Sequence, residues 1–401
     1  MNIYYFTSAL LVLFGGILIV AKSHKGMPLK LLSFFVIASM FRPVTDSHWA
    51  WLTEMVFIAA IAAFRKPLVK DLRWYLLFLA MVLLSFVYSD NPARGVPGFV
   101  MYVFPLFYYA LTTTAVKRTT DADELFNHIS KASWLVLLIS AISFFRNPFV
   151  FSYYGMGICM IPALLFCKTG KKQYVFHYLI CFLPALVFVK RTPLLGIAAA
   201  TILFSLLIYK WKALIPGILA ILIGATLVLS IPGFMEKTFS GTNITGIQDL
   251  SRESANQVNL NGRLEFWNIV LDKYYKTAPV FGSGIGTVKA FLQSDQNEYK
   301  RAFSLMHNDW LLVLCEQGLS GAFLLLLFML GVLRKGIRYS AERYPKELRL
   351  IAAACAGSAV STVIHMFFEN CMNSFVFSTT FVFYAILNSC AHGYAKKVPV
   401  R

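Results

Sequence analysis

The sequence predicts an all-α, polytopic membrane helix bundle, and three observations carry that prediction. Of 401 residues, 58% are hydrophobic and only 14% charged, with mean hydropathy +0.64. Apolar runs long enough to cross a hydrocarbon core, about 20 residues each, follow one another almost from end to end. They lack the period-2 alternation of a membrane barrel strand, so helices are the way to satisfy their backbone in lipid. That many all-apolar helices have no polar surface to hide beneath in water, which excludes a soluble bundle.

In chain order, helices are expected near 3–20, 30–41, 49–64, 72–88, 98–116, 132–145, 151–167, 174–189, 193–209, 213–231, 308–333, 350–369 and 372–391. The first lacks a basic leader region and a clear cleavage site, so it reads as a retained span. The second is short, as expected for half of a re-entrant or steeply tilted element, which leaves twelve or thirteen helices in all. The chain then divides into N-terminal spans over 1–231, a large polar loop over 232–306, and C-terminal spans over 307–401, all within one membrane domain.

A net charge of +18 raises the possibility of a nucleic-acid partner, and the placement of the charge removes it. Segments 22–30, 65–73, 117–131, 168–172, 210–212, 334–349 and 396–401 hold 24 of the 37 lysines and arginines. These are every second connection plus the C-terminal tail, the pattern that marks the cytoplasmic side of a membrane. Attraction to anionic membrane lipids follows from the same charges. The opposite, external side then holds the connections at 42–48, 89–97, 146–150 and 190–192, the loop 232–306 and the turn near 370. The seven cysteines lie in or at the ends of predicted spans and form no disulfide framework or metal-ligand spacing.

The residues able to do chemistry gather toward the external side. His307-Asn308-Asp309-Trp310 opens a long apolar run at the end of the only extended polar loop. Its neighbour pattern is His-Asn, nine residues, then Gly318-Leu319-Ser320-Gly321. A near-neutral histidine at the edge of the hydrocarbon suits a proton acceptor. Lys190-Arg191-Thr192-Pro193 puts a guanidinium at a sharp helix start. Arg263 is expected in the first turn of an amphipathic helix with apolar residues at 264, 267, 270, 271 and 274, capped by Asn261 or Gly262. A cation beside the positive end of a helix dipole is unfavourable unless an anion sits with it. Lys300-Arg301 precede the histidine by a few residues. The Phe281-Gly282-Ser283-Gly284 stretch reads as a glycine turn rather than a phosphate loop, since no strand precedes it and no Lys-Ser/Thr ends it. Glu54, Glu316 and Glu369 are the acidic residues in or near spans, where ionisable groups are costly. His365, in a late span beside Glu369, Asn370 and Asn373, reads as a helix–helix contact.

On the strength of Arg191 in Lys190–Gly196, Gly262-Arg263 with Trp267, Phe281–Gly284, and the His307 run, the chain resembles the bacterial O-antigen ligase and polymerase superfamily of integral-membrane glycosyltransferases. The detailed resemblance covers about residues 185–325. It departs at Lys190, where ligases of the group usually carry Ser before the arginine.

The resemblance implies a GT-C-like helical membrane fold in the inner membrane. It also implies transfer of a glycan from undecaprenyl diphosphate to an acceptor sugar hydroxyl at the periplasmic face, building O-antigen or other exopolysaccharide. In that reading His307 is the general base, while Arg191, Arg263 and Arg301 hold the diphosphate, with lesser contributions from Lys190, Asn308 and Asp309. No cofactor is expected, and no carboxylate cage for a metal is visible in the loop, so metal-independent catalysis is expected.

The partners implied are the lipid-linked donor, a glycan or lipid A-core acceptor, membrane lipids and a chain-length regulator. The turn Asp90–Gly95 and Asp309 lean the expectation toward a polymerase over a ligase. Outside the enzymes, a lipid-linked oligosaccharide flippase is the rival. A flippase should show internal repeats and paired charges near the midplane; here the charges crowd the periplasmic end, and Glu54 and Glu316 are its main support.

Overall fold

A computed structural model describes residues 3–21, 23–45, 69–144, 154–187, 189–213, 263–295, 305–372 and 375–395, with isolated positions at 215–234 and at 297. The expected helix at 49–64, most of that at 213–231, Glu54, Asn261, Gly262, Lys300, Arg301 and Asn373 lie outside the described residues. Every regular element among the described residues is helical.

The N-terminal helices are α1 (Ile3–Ala21), α2 (Met27–Thr45), α3 (Arg73–Ser85) and α4 (Pro92–Ala115). There follow α5 (Thr119–Lys131), α6 (Ser133–Phe144), α7 (Tyr154–Ile158), α8 (Met160–Thr169), α9 (Gln173–Ile180), α10 (Leu183–Val187) and α11 (Arg191–Tyr209). The remainder comprises α12 (Arg263–Val270), continued by one π turn over Leu271–Tyr275, then α13 (Thr287–Gln293), α14 (Asp309–Tyr339), α15 (Lys346–Phe368) and α16 (Phe375–Ala395). Five helices are long and apolar enough to cross a membrane, and several shorter apolar ones accompany them.

Several boundaries differ from expectation for identifiable reasons. The second helix is longer than expected: it runs for 19 residues, with Pro28 in its first turn, where a missing N–H costs nothing. α4 starts six residues early for the same reason, at Pro92. The span expected at 174–189 is two short helices broken at Cys181-Phe182, with Pro184 unable to donate to the turn before it. The basic connection 117–131 contains a helix of its own, Thr119–Lys131. Its Asp121 carboxylate accepts from the Lys117 and Arg118 amides at 3.1 Å each, closing the first turn.

Small residues bring the central helices together, as membrane helices require. α15 is buried along Ala352–Ala354, Ala356 and Gly357. A Cβ on Gly357 would stand 2.6 Å from the Met160 sulfur, and one on Gly336 would meet the Ala352 carbonyl at 2.9 Å. Around this contact Tyr75, Phe328, Phe377 and Phe381 interlock, with ring centroids 4.7–6.1 Å apart.

The alternation of charged connections becomes geometry. Lys25 pairs with Asp121 at 2.9 Å and Lys168 with Asp123, joining three of the basic segments. Lys335 pairs with Asp71 at 2.8 Å and Lys210 with Glu342 at 2.7 Å, joining three more. The basic connections thus meet at one end of the bundle. Residues 89–97 with the start of α4, the start of α11, the end of α15 and His307 lie at the other.

Candidate active site

At that second end, α12 and α13 form a small platform with their own core. Phe266, Val270, Val288, Phe291, Leu292, Met306 and Cys315 are buried together. The buried stripe of α12 is therefore centred on Phe266 and Val270; Leu264, expected on it, is exposed. The rotation has a consequence for the site. It turns Trp267 so that its indole N–H donates to the Met306 carbonyl at 2.9 Å, directly before His307.

His307 occupies left-handed backbone, with φ of 51°, an uncommon state for a residue with a Cβ. The next residue, Asn308, is the N-cap of α14, its side chain accepting from the Leu311 amide at 3.0 Å. Asp309 is buried, and its carboxylate accepts from the Met372 amide at 2.7 Å. Both side chains are committed to backbone. Asn308 starts the helix, and Asp309 ties that start to the turn that follows α15.

That turn carries the residue the sequence reading did not assign to the site. Glu369 ends α15 in an extended conformation, and its Oε2 stands 2.7 Å from His307 Nδ1. Its Oε1 accepts from Arg263 Nη2 at 3.2 Å, while Arg263 Nη1 donates to the Phe368 carbonyl at 2.6 Å. The anion that offsets a cation at the start of α12 is thus a protein carboxylate. The side chains of His307, Arg263 and Glu369 are 26%, 19% and 13% exposed, shielded from bulk water yet reachable. A carboxylate at Nδ1 favours the tautomer with the proton on that nitrogen, which leaves the Nε2 lone pair as the base.

The cations of the 190–191 step face the same place. Lys190 is the N-cap residue of α11 and follows Val189, a β-branched residue in left-handed backbone with φ of 51°. Burial pushes the Lys190 ammonium below the ordinary lysine range, with Glu369 opposing the shift and Arg263 adding to it. Arg263 also acts electrostatically on Arg191. Lys190 and Arg263 thus act on the Glu369 carboxylate while Arg191 senses Arg263, and three cations against one carboxylate leave a surplus of positive charge suited to an anionic group. Arg301 lies outside the described residues. His365 is buried within α15, away from the exposed face.

The two glycine motifs belong to architecture. α14 is broken at Gly318, with φ of 67° and ψ of −168°. In an unbroken helix the Leu319 and Ser320 amides would bond to the Cys315 and Glu316 carbonyls. Here those amides go to the Pro279 and Val280 carbonyls at 2.9 and 3.1 Å. The vacated carbonyls accept from Ser283 and Gly284 at 2.9 and 3.0 Å. The glycine turn is thus stitched into the break, and a Cβ on Gly318 would lie 2.3 Å from the Val280 carbonyl oxygen. Glu316, buried, accepts from the Gly286 amide at 3.0 Å and from the Val288 and Lys289 amides, so a protein carboxylate closes the start of α13. Glu316, one of the two acidic residues that supported a transport reading, is thus engaged in holding this loop.

Sequence spacing could not have paired Glu369 with His307, since 62 residues separate them. The available signal was the cost of an acidic residue at the end of a span.

Against known proteins, residues 176–326 match the family model Wzy_C, described as O-antigen ligase. The match includes Lys190, Arg191, Arg263 and His307 and stops short of Glu369. No curated protein matches the chain.

Proposed function

We propose that this multi-pass membrane chain, whose residues 176–326 match the O-antigen ligase family model, moves a glycan from a lipid diphosphate carrier to a sugar hydroxyl. The observation that carries the reading is the His307–Glu369–Arg263 chain at 2.7 and 3.2 Å, with Lys190 and Arg191 beside it. A base and permanent cations at the rim of a bundle suit a substrate that is part lipid and part sugar.

In the proposed step His307 Nε2 takes the acceptor hydroxyl proton as that oxygen attacks the anomeric carbon of the donor's first sugar. The bond from that carbon to the phosphate oxygen breaks, and its electron pair leaves with the diphosphate. Arg191, Arg263 and Lys190 stabilise the departing charge, and Glu369 stabilises the imidazolium. Base assistance of this kind contributes ~10²–10⁴-fold in rate.

The donor implied is an undecaprenyl-diphosphate-linked oligosaccharide, and the site faces the periplasm of a bacterial inner membrane. Asp309, which leaned the expectation toward a polymerase, is buried and bonded to the Met372 amide, while Asp90–Arg94 stay exposed, so neither separates a polymerase from a ligase. The reading therefore rests on the transfer step that polymerase and ligase share.

The test uses the full chain in liposomes with an undecaprenyl-diphosphate-linked glycan and either a second lipid-linked glycan or lipid A-core as acceptor. Transfer that depends on His307 and Arg191 is expected, lost in His307→Ala and Arg191→Ala without loss of membrane insertion. Unchanged transfer in both variants would overturn the assignment. The acceptor that is extended identifies the reaction as polymerisation or ligation.

A further inference from the structure

We propose that residues 279–284, within what the sequence presents as a polar loop, form a wedge inserted into the bilayer, with Val280 and Phe281 immersed in lipid hydrocarbon. The proposal rests on the membrane-spanning architecture and is independent of the transfer reaction.

The first support is the backbone. A loop in water leaves its amides and carbonyls to solvent, whereas one at membrane depth must satisfy them within the protein. Here the Pro279 and Val280 carbonyls and the Ser283 and Gly284 amides all bond to the broken turn of α14. The Phe281 carbonyl accepts from the Tyr88 hydroxyl at 2.6 Å, and the Gly282 amide bonds to the Ala278 carbonyl at 2.9 Å.

The side chains do the opposite. Val280 and Phe281 are 52% and 57% exposed, although their backbone is stitched into the bundle. They continue an apolar surface. Leu319, Phe323, Leu326 and Leu330 recur at helical spacing along the outer face of α14, each at least 42% exposed. On the other flank, Leu77, Leu84 and Val87 line the outer face and end of α3. α3 packs against α14, and Tyr88 at its end holds Phe281. Apolar stripes on two adjacent membrane helices are covered by lipid, and the pair at 280–281 sits between their ends.

Depth agrees with this placement. Lys335 marks the basic end through its pair with Asp71. From there Leu319 lies about 24 Å further along α14 at 1.5 Å per residue, still inside a hydrocarbon core of about 30 Å. The occupant of this face is therefore acyl chain.

The full chain in lipid nanodiscs tests the proposal through nitroxide accessibility. Of the seven native cysteines six are buried and Cys167 is partly so, which makes Cys167→Ser the starting variant. Spin labels at Val280→Cys and Phe281→Cys are read against Phe323→Cys as the lipid reference and Glu342→Cys as the aqueous one. The expected result is an oxygen-to-nickel accessibility ratio at 280 and 281 close to that at 323 and several-fold above that at 342. A ratio matching position 342 would place the loop in water and overturn the proposal. Low accessibility to both reagents at 280 and 281 would mean a protein covers the face, and overturns it equally. The two positions are labelled separately, so that a folding failure of one variant leaves the other to decide.

Discussion

Trp267 donates its indole N–H to the Met306 carbonyl at 2.9 Å, so the helix that carries Arg263 also fixes the residue preceding His307. Arg263 and Trp267 are four residues apart, one turn of α12, and present to the same side. One end of the turn sets the carboxylate, and the other sets the backbone on which the base is mounted. Trp267→Phe keeps the ring and removes only the donor. A hydrogen bond of this kind is worth about 1 kcal/mol net, too little to unfold the chain. Displacing a catalytic group by about 1 Å costs on the order of 10²-fold in rate. We expect kcat to fall by about one to two orders of magnitude with donor KM little changed, measured as initial rates in proteoliposomes. A raised KM at wild-type kcat would mean that the indole serves binding and not the placement of His307.

Glu369 touches both His307 and Arg263, so its variants separate charge from shape. Glu369→Gln keeps an oxygen to accept from Nδ1 but cannot stabilise an imidazolium. Glu369→Ala removes both and leaves Arg263 without its carboxylate. Transfer is expected to fall about 10²-fold or more in the alanine variant, approaching His307→Ala, with the glutamine variant in between. A double variant His307→Ala/Glu369→Ala should be no worse than His307→Ala alone, because the two groups act as one unit. Additive losses would show that Glu369 has a separate role.

Lys190 gives the site a pH dependence with a definite sign. Burial holds its ammonium below the ordinary lysine range, so it loses its proton earlier than a free lysine as pH rises. The cluster then loses a positive charge, and donor KM should climb toward alkaline pH. Lys190→Arg, which stays charged, should flatten that climb. Unfolding is not the cause, because a lysine whose folded-state pKa lies below its unfolded one contributes stability that increases as pH rises through that interval. The measurement is donor KM against pH for both forms. Parallel profiles would remove Lys190 from the diphosphate site.

Composition and charge alternation carried the helical class and the two-ended arrangement, since both reflect how each segment is solvated. The Lys25–Asp121 and Lys335–Asp71 pairs join segments that basic residues alone had assigned to one side. Arg263 and His307 were visible because a charged or titratable group at the mouth of an apolar bundle needs a reason. Glu369 was overlooked because contacts across 62 residues leave no local periodicity, and its neighbour His365 offered a nearer partner. The glycines of 282–286 were legible as a turn and those at 318 and 321 only as a spaced motif within an expected helix, because their reason lies in two chain segments exchanging hydrogen bonds. Neither segment displays that exchange alone.

That exchange supplies the last prediction. Glu316 accepts three amides at the start of α13, and Gly318 admits the Val280 carbonyl into the break of α14. Glu316→Ala strands buried donors, each costing about 1–3 kcal/mol when unsatisfied; Glu316→Gln retains one acceptor oxygen and should lose less. Gly318→Ala adds a Cβ 2.3 Å from the Val280 oxygen at a residue with φ of 67°, so it suffers from both contact and backbone strain. Thermal inactivation followed by size-exclusion chromatography should therefore rank wild type above Glu316→Gln, and Glu316→Ala and Gly318→Ala lowest. His307→Ala, inactive by the proposed mechanism, should melt close to wild type, because its ring is partly exposed and caps no helix. If Gly318→Ala instead keeps wild-type stability while losing transfer, the glycine belongs to the reaction, and the stitched loop is not what it is there to hold.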